Sequence, residues 1–311
     1  MNSCATRAEL ERFRCAIVQQ IGLQFDDGKL GFLGEVLQRR LDRLACTSTS
    51  YLWRLEDQAP DGELAALAQE LTVGETYFFR HNDQFRALAE VALPERMGCR
   101  ESCRTLRLLS AGCASGEEAY SLAIVARETI IDPSWNVTIR AIDLNPDVLA
   151  KAARGRYSAW ALREALPEMR RRWFRSDSRE LVLEDGLRGA VRFDAGNLAS
   201  DDPELWQPGA YDVIFCRNVL MYFAPEQMRA AIARIAESLA PGGYLFLGHA
   251  ETLRGVSDEF HICHTHETFY YQRKDGIPAR QPRPSGRIRL DAGPVTVPAI
   301  APSTAWVDTI R

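Results

Sequence analysis

The segment Leu108-Leu-Ser-Ala-Gly-Cys-Ala-Ser-Gly-Glu-Glu-Ala-Tyr-Ser-Leu-Ala123 decides the fold of this chain. It begins within an apolar strand (106–110), turns through small residues between Ala111 and Gly116, and continues as a helix that opens at Glu117. Small residues let a ligand lie against bare backbone, and the first turn of a helix offers N–H groups without intrahelical partners. The segment therefore predicts a ligand-binding turn between a strand and a helix.

An acidic residue at the end of the next predicted strand supports the same interpretation. Asp143 closes the stretch Ile139-Arg-Ala-Ile-Asp143 and can accept hydrogen bonds from both hydroxyls of a ribose. Together, the turn and the acid are typical of a Rossmann-type nucleoside site. The turn lacks the third glycine of a dinucleotide fingerprint, and Glu117 and Glu118 would repel a pyrophosphate. A cationic cofactor without phosphates, such as S-adenosylmethionine, therefore fits better than a nicotinamide dinucleotide.

The pattern of apolar residues divides the chain into three parts. Residues 1–85 have apolar side chains at helical spacing only, which predicts an all-helical N-terminal domain. Residues 86–274 alternate strands and helices, which predicts an α/β domain with a mostly parallel sheet covered on both faces. An arginine-rich stretch breaks this alternation and predicts a small β-subdomain inserted at about 173–192. Residues 275–311 contain six prolines without periodicity, and we expect a flexible tail.

The elements of the α/β part can be placed from periodicity and from turn residues. Pro225 opens one predicted helix, and Pro241-Gly-Gly243 is expected to end it. The predicted strands are 106–110, 137–143, 211–216 and 243–248, the predicted helices are 117–130, 146–154 and 225–240, and 260–273 is predicted to form an antiparallel edge hairpin.

Composition limits the class of protein. The chain has 311 residues, of which 46% are hydrophobic and 26% charged, as in ordinary soluble globular proteins. Its net charge of -4 argues against nucleic acid as a partner. No apolar run approaches the ~18 residues that span a bilayer, and the first residues lack the apolar core of a signal peptide. We expect a cytoplasmic monomer.

Cysteine and histidine were considered as metal ligands. The eight cysteines contain no CxxC pair, and their positions in apolar segments favour reduced thiols. The segment His261-Ile-Cys-His-Thr-His266 places two histidines on one face of a predicted hairpin, without an evident third and fourth ligand. We therefore expect no bound metal.

Four other segments carry polar residues suited to a ligand site. Segments 194–198, 215–223 and 248–251 follow predicted strands, and segment 71–80 joins the two predicted domains. In an open parallel sheet, ligands bind at the carboxyl ends of the strands, so the first three segments should converge on one crevice. Domain junctions commonly form pocket walls, so 71–80 can close over it.

Three motifs in these segments carry a specific resemblance. They are L-T-x-x-x-T-x-F-F-R at 71–80, G-x-x-S-G-E-E at 112–118 and R-N-V-x-M-Y-F at 217–223. Over about residues 8–274, the chain resembles the chemotaxis receptor methyltransferases of the CheR type. The resemblance implies an S-adenosylmethionine-dependent methyltransferase sheet behind an all-α domain. It also implies methyl transfer to glutamate carboxylates in the cytoplasmic domain of chemoreceptors.

The resemblance also implies a role for individual residues. Thr76 and Arg80 would approach the methionine portion of the cofactor, and Glu117 would lie beside its amino-acid end. Asp143 would bind its ribose, and Asn197 and Leu198 would flank the adenine. Arg217 and Asn218 would complete the pocket floor, and Tyr222 would lie near the transferred methyl. Many relatives have Asn where this chain has Gly74, so one side-chain contact is missing here. Structural alternatives are an ion pair at the domain junction for Arg80, a core aromatic for Tyr222 and a turn residue for Asn218.

The expected chemistry needs few groups. A glutamate carboxylate is already ionised at neutral pH, so the absence of a recognisable base–nucleophile arrangement is consistent with methyl transfer to it. Catalysis would depend on alignment, which can supply ~7–11 kcal/mol. We expect Arg80 to steer the acceptor carboxylate and the Tyr222 hydroxyl to hydrogen-bond with it.

A basic helix face provides a candidate receptor surface. Arg39, Arg40 and Arg43 lie opposite the apolar side of a predicted helix, either as a solvated face or as a docking surface for an acidic helical partner. Two other functions are compatible with parts of the pattern: a catalytically silent S-adenosylmethionine-binding adaptor, and a nicotinamide oxidoreductase, which the turn chemistry disfavours.

Overall fold

The computed structural model describes residues 5–57, 59, 62–72 and 74–274. The tail predicted at 275–311 lies outside the described residues. Within those ranges, no helix is both long enough and apolar enough to cross a membrane.

The described residues of the N-terminal part form four α-helices. The first begins with a capping box, in which the Thr6 hydroxyl accepts from the Glu9 backbone while the Glu9 carboxylate accepts from the Thr6 backbone. It ends at Gly22, whose φ of 88° is a left-handed conformation that glycine adopts without strain. The helices are α1 (Arg7–Ile21), α2 (Leu30–Leu44), α3 (Ser48–Asp57) and α4 (Glu63–Leu71).

A longer helical run connects this part to the sheet. It comprises α5 (Asn82–Ala87), a π-helical turn (Leu88–Ala92) and α6 (Leu93–Arg100). Its buried side chains share a core with the sheet, and Arg96 forms an ion pair with Asp212 at 3.0 Å. The domain boundary expected after residue 85 therefore falls inside a helix that packs on the sheet.

The main sheet has seven strands in the order β6-β2-β1-β7-β8-β10-β9, and only β10 runs antiparallel to the others. The strands of the described residues are β1 (Thr105–Ala111), β2 (Asn136–Asp143), β3 (Arg156–Tyr157), β4 (Phe174–Asp177), β5 (Glu180–Leu183), β6 (Val191–Ala195), β7 (Tyr211–Cys216), β8 (Leu239–Leu247), β9 (Phe260–Thr265) and β10 (Thr268–Arg273). The predicted α/β class, with a mostly parallel sheet and an edge hairpin, is confirmed.

Helices cover both faces of the main sheet. The remaining helices are α7 (Glu117–Thr129), α8 (Pro146–Arg154), α9 (Pro167–Trp173), α10 (Asp185–Arg188) and α11 (Pro225–Ser238). One apolar core joins the sheet to α5–α7, and the other joins it to α11 and the N-terminal helices. Helix α11 was predicted to continue to residue 240. It ends at Ser238 because the next residue, Leu239, is buried as the first residue of β8 and pairs with Tyr211 of β7.

The inserted β-subdomain is a separate antiparallel sheet in the order β3-β5-β4. It begins at Arg156, earlier than the predicted 173, because the two-residue strand β3 pairs with β5. It ends before Val191, which pairs with Ile139 in the main sheet. A strand of two residues is too short to show an alternating pattern in the sequence. It is therefore recognised only from its pairing with β5 in the structure.

Candidate functional site

A cleft of about 620 Å³ lies at the carboxyl ends of β1, β2 and β7. Its size is typical of sites that hold small molecules and cofactors. The sheet supplies one wall, the segment 74–80 a second, and α1 with the segment that follows it a third. Of the residues predicted to form the site, those that line this cleft are Thr76, Arg80, Asp143, Asn197, Leu198, Arg217, Asn218 and Tyr222.

The glycine turn after β1 forms part of the sheet wall. Gly112 has a φ of 79°, and a Cβ there would lie 2.4 Å from Val219 Cγ2. The backbone N–H groups of Gly112 and Cys113 both donate to Ile142 O, at 2.8 and 2.9 Å. The turn is therefore fixed to the end of β2, and only glycine permits the close approach of the 219 side chain.

Asp143 anchors the same region from the end of β2. Its carboxylate accepts the N–H of Ala114 at 2.9 Å and that of Asn145 at 2.9 Å. Burial raises the pKa of Asp143, and these N–H groups partly offset the shift because they stabilise the charged form. Since each carboxylate oxygen can accept more than one hydrogen bond, acceptor capacity remains for a ligand.

A buried ion pair joins the start of α7 to the end of β7. Arg217 Nε donates to Glu118 Oε2 at 2.6 Å, and Ser110 Oγ donates to Glu118 Oε1 at 2.7 Å. Arg217 Nη1 also donates to Arg80 O at 2.6 Å and to Gln84 Oε1 at 2.8 Å. Arg217 therefore connects the sheet to the segment that carries Arg80.

Glu117 does not line this cleft, whereas its neighbour Glu118 does. The Glu117 carboxylate accepts from Ser115 Oγ at 2.8 Å and lies in a neighbouring depression with Lys151. Burial raises the pKa of Glu117. Successive helix residues point about 100° apart, so only one of two adjacent glutamates can face the cleft. The motif contains both glutamates, and it does not indicate which of them faces the cleft.

The loop after β7 holds Asn218 and Tyr222 at the cleft. Asn218 is left-handed, with a φ of 58°, a conformation that asparagine tolerates better than most residues. The other end of this loop is held by the segment that follows α1, since Gln24 N donates to Tyr222 O at 2.8 Å. Tyr222 is 51% exposed at the rim, so the core-aromatic alternative is wrong.

Arg80 presents a cation to the cleft. Its guanidinium donates to Glu75 O at 2.8 Å and lies 5.8 Å from the centre of the Tyr77 ring. Among the described residues Arg80 has no ion-pair partner, so the domain-junction ion pair is not formed. Gly74 lies in the same segment, and a Cβ there would meet nothing closer than 3.7 Å. The cleft therefore has room for the first side-chain atom of an asparagine at this position.

Known proteins match this chain over most of its length. Residues 74–269 match the family described as "CheR methyltransferase, SAM binding domain". Chemotaxis protein methyltransferase 2 of Vibrio cholerae serotype O1 is 34% identical over 281 residues, which cover 87% of this chain and 95% of that protein. Chemotaxis protein methyltransferase 1 of Pseudomonas aeruginosa is 30% identical over 276 residues, covering 87% and 99%.

The chain belongs to the CheR methyltransferase family. A further relative is the probable biofilm formation methyltransferase WspC of Pseudomonas aeruginosa, 31% identical over 242 residues that cover 78% of this chain and 56% of that protein. The resemblance inferred from the three motifs is confirmed. As a CheR methyltransferase, the chain uses S-adenosylmethionine and catalyses methylation in chemotaxis. The nicotinamide oxidoreductase interpretation is wrong.

The cleft suits this cofactor. Gly112 and the small residue Ala114 leave backbone of the turn open to the cleft, and Asp143 offers acceptor oxygens where a ribose is expected. The carboxylate of Glu118 offers negative charge to a cationic cofactor, although Arg217 already balances it. Cys113 also lines the cleft, and burial raises the pKa of its thiol well above the ordinary value, so it is no competing nucleophile.

Several contributors to the site were missed by sequence reasoning. Gln84 orients Arg217, Phe25 brings apolar surface to the cleft from the segment after α1, and Phe32 does so from α2. Glu251 accepts backbone N–H groups from the loop after β7. Glu251 belongs to the segment 248–251 that was predicted to reach the crevice, although no role was predicted for it. Gln84 lies in α5 just after the 71–80 motif, and Phe25 and Phe32 lie in the N-terminal part, remote in sequence from the motifs.

Of the three arginines of the predicted basic face, only two lie on the surface. Arg40 is 6% exposed and forms a bidentate pair with Glu63, with N–O distances of 2.9 and 2.7 Å. Tyr51 donates to the same carboxylate at 2.7 Å. Arg40 therefore belongs to the interior of the helical part and is removed from the predicted docking face. Arg39 and Arg43 are exposed.

A histidine beside the cleft predicts acid sensitivity. His81 packs against His249 with ring centres 4.2 Å apart, and burial, that neighbour, Arg217 and Arg80 lower the pKa of His81 to about 4. The unfolded chain binds this proton near pH 6.5, so His81 should reduce stability as the pH falls from about 6.5 to 4. We expect His81→Asn to make the free energy of unfolding, measured by urea unfolding at stepped pH, fall less steeply over this range. Asparagine is chosen because it tolerates the left-handed φ of 58° at this position. An unchanged pH profile would contradict this assignment.

Proposed function

We propose that this chain transfers methyl groups to glutamate side chains in the cytoplasmic domain of methyl-accepting chemoreceptors, giving glutamate methyl esters for sensory adaptation. The observation that carries the proposal is that one cleft is lined both by the Arg80 guanidinium, which has no ion-pair partner among the described residues, and by the half-exposed Tyr222. This combination suits an anionic, oxygen-bearing acceptor.

We assign the cofactor to the inner cleft. Asp143 would accept from the ribose hydroxyls, Asn197 and Leu198 would flank the adenine, and Glu118 with Arg217, Asn218 and Thr76 would surround the methionine portion. Asn197 is held for this role because its Nδ2 donates to Gln20 O at 2.7 Å and its Oδ1 accepts from Ala199 N at 2.9 Å.

The chain's own groups act by alignment. S-adenosylmethionine, when bound, supplies a methyl group activated by its sulfonium, whose transfer to a carboxylate yields a methyl ester and S-adenosylhomocysteine. Arg80 would attract and orient the acceptor carboxylate, and the Tyr222 hydroxyl would donate to its second oxygen. An ionised carboxylate needs no general base, and the described residues that line the cleft include no histidine.

We expect Tyr222→Phe to lower kcat by about tenfold, because one hydrogen bond to a charged acceptor is lost. The affinity for S-adenosylhomocysteine, measured by calorimetry, should be unchanged because the ring remains. Tyr270→Phe, which removes a buried hydroxyl remote from the cleft, is the matched control. Unchanged turnover would remove Tyr222 from the chemistry.

The receptor would lie along α2. Phe32 reaches the cleft, and Arg39 and Arg43 follow it by seven and eleven residues, which places all three within about 40° on one helix face. Arg43 is then about 16 Å from Phe32 along the axis. Arg39 contacts Glu70 at 2.6 Å, whereas Arg43 forms no ion pair with any described residue. This stripe suits an acidic helix whose glutamate enters the cleft.

Arg43→Glu should raise the KM for receptor about fivefold and leave kcat unchanged, since a reversed surface charge alters association by roughly 1 kcal/mol. The effect should shrink as salt is added, because exposed charges are screened. Arg127→Glu makes the same charge change on the exposed side of α7 and serves as control. A KM insensitive to Arg43→Glu would place the receptor elsewhere.

The proposed function is tested with labelled S-adenosylmethionine and membranes that contain chemoreceptors. We expect base-labile label on glutamates of the receptor cytoplasmic domain, identified by mass spectrometry. Tight cofactor binding without label would favour the catalytically silent adaptor instead. Label on another residue type would identify a different substrate.

A further inference from the structure

The carboxylate of Glu251 collects four backbone N–H groups from two loops. Oε2 accepts from Asn218 N at 2.8 Å and from Gly248 N at 2.6 Å, and Oε1 accepts from Val219 N and Met221 N, both at 3.0 Å. No arginine, lysine or histidine of the described residues lies within ion-pair distance of it. The charge of Glu251 is therefore balanced by backbone dipoles alone.

Three of the four donors belong to the loop that connects Arg217 to Tyr222. This loop contains the left-handed Asn218, a conformation that costs free energy unless neighbouring groups fix it. Its Val219 side chain lies against the bare Cα of Gly112 in the cofactor turn. The Glu251 carboxylate thus holds a strained loop against the turn where the cofactor is assigned.

The contact also explains a glycine after β8. A Cβ on Gly248 would lie 2.7 Å from Glu251 Oε2 and 2.8 Å from Asn218 Nδ2. The loop after β7 and the loop after β8 therefore approach closely. The contact between them consists of backbone groups and the single carboxylate of Glu251. Glu251 itself is not among the residues that line the cleft.

We propose that Glu251 is a positioning residue, which sets the place of Asn218 and Tyr222 by holding the backbone N–H groups of residues 218, 219 and 221. The proposal rests on the proposed function only for the role of Tyr222 toward the acceptor. Glu251 touches neither cofactor nor acceptor, and it acts through the loop.

Glu251→Gln is the decisive change because it preserves the shape and removes half of the acceptors. The amide nitrogen cannot accept, so in either orientation two of the four N–H groups face a donor. Glu259→Gln is the matched control, since Glu259 is exposed and its side chain forms no hydrogen bond or ion pair with the part of the chain that the structure describes. Glu251→Asp keeps the charge with a shorter reach and tests partial rescue.

The first measurement needs no acceptor. Amide hydrogen exchange of the peptide covering residues 218–221 should accelerate about tenfold or more in Glu251→Gln, because each hydrogen bond to a carboxylate typically accounts for at least that factor. Exchange in β1 and β7 should remain at the control rate. The aspartate variant should give an intermediate rate.

The second measurement separates positioning from binding. With receptor as acceptor, kcat should fall about 10²-fold, as expected when a reacting group is misplaced by about 1 Å, while the KM for receptor changes less than threefold. Loss of exchange protection throughout the chain would show a merely structural role and overturn the proposal. Unchanged exchange at 218–221 would also overturn it.

These results can be told apart from a failure of the proposed function. If the wild-type chain forms no methyl ester on receptors, the exchange result still decides whether Glu251 holds the loop. Should Glu251→Gln fail to fold, the exchange rate and kcat of Glu251→Asp, compared with Glu259→Asp, decide the same question.

Discussion

Arg217→Met is expected to lower the free energy of unfolding by about 3–5 kcal/mol, the usual cost of removing one partner from a buried ion pair. Of its partners among the described residues, Glu118 would keep Ser110 alone, and Gln84 Oε1 would lose the Arg217 donor. Urea unfolding of the cofactor-free protein measures the change. Because Arg217 also donates to Arg80 O, the segment that carries Arg80 should loosen as well.

A double variant identifies the cause of that loss. Glu118→Gln added to Arg217→Met removes the unbalanced charge, so part of the stability should return. Arg229→Met, at an exposed position of α11, should change the unfolding free energy by less than about 0.5 kcal/mol. If Arg217→Met unfolds like this control, the pair does not hold the cleft together.

Asp143→Asn should weaken binding of S-adenosylhomocysteine about 10²-fold. The amide nitrogen cannot accept from a ribose hydroxyl, and hydrogen bonds to a charged group are each worth about 1.5–3 kcal/mol. The N–H groups of Ala114 and Asn145 would also compete for the one remaining oxygen. Isothermal titration measures the affinity directly.

Asp147→Asn provides the comparison for that experiment. Asp147 is exposed in the first turn of α8, four residues away, so its change alters the net charge equally without reaching the cleft. An affinity of Asp143→Asn within threefold of this control would refute the ribose assignment. Scanning calorimetry distinguishes the expected loss of affinity from misfolding, because a folded apoprotein retains its unfolding transition.

The sequence was informative where chemistry is local. A strand, a glycine turn and a helix occupy consecutive residues, so the segment 108–123 predicted both the fold class and the cofactor class. Asp143 was found for the same reason, because a residue at the carboxyl end of a parallel strand must lie at the ligand edge. The three motifs added the family, which the comparisons confirm.

Local pattern was insufficient where the direction of a side chain depends on packing. Glu117 and Glu118 are equivalent in the motif, and only the seating of α7 on the sheet turns Glu118 toward Arg217. The sequence pattern of α2 does not distinguish Arg40 from Arg39 and Arg43. Its burial depends on Glu63, which belongs to another helix 23 residues away.

The amino-acid sequence by itself determined the parallel sheet, the ligand edge, the cofactor class and the family, because each follows from residues adjacent along the chain. Tertiary structure alone decided which glutamate faces the cleft, which arginines reach the surface and that Glu251 holds the loop after β7. These contacts join residues from separate elements, and the hydrogen bonds and packing between elements form only when the whole domain folds.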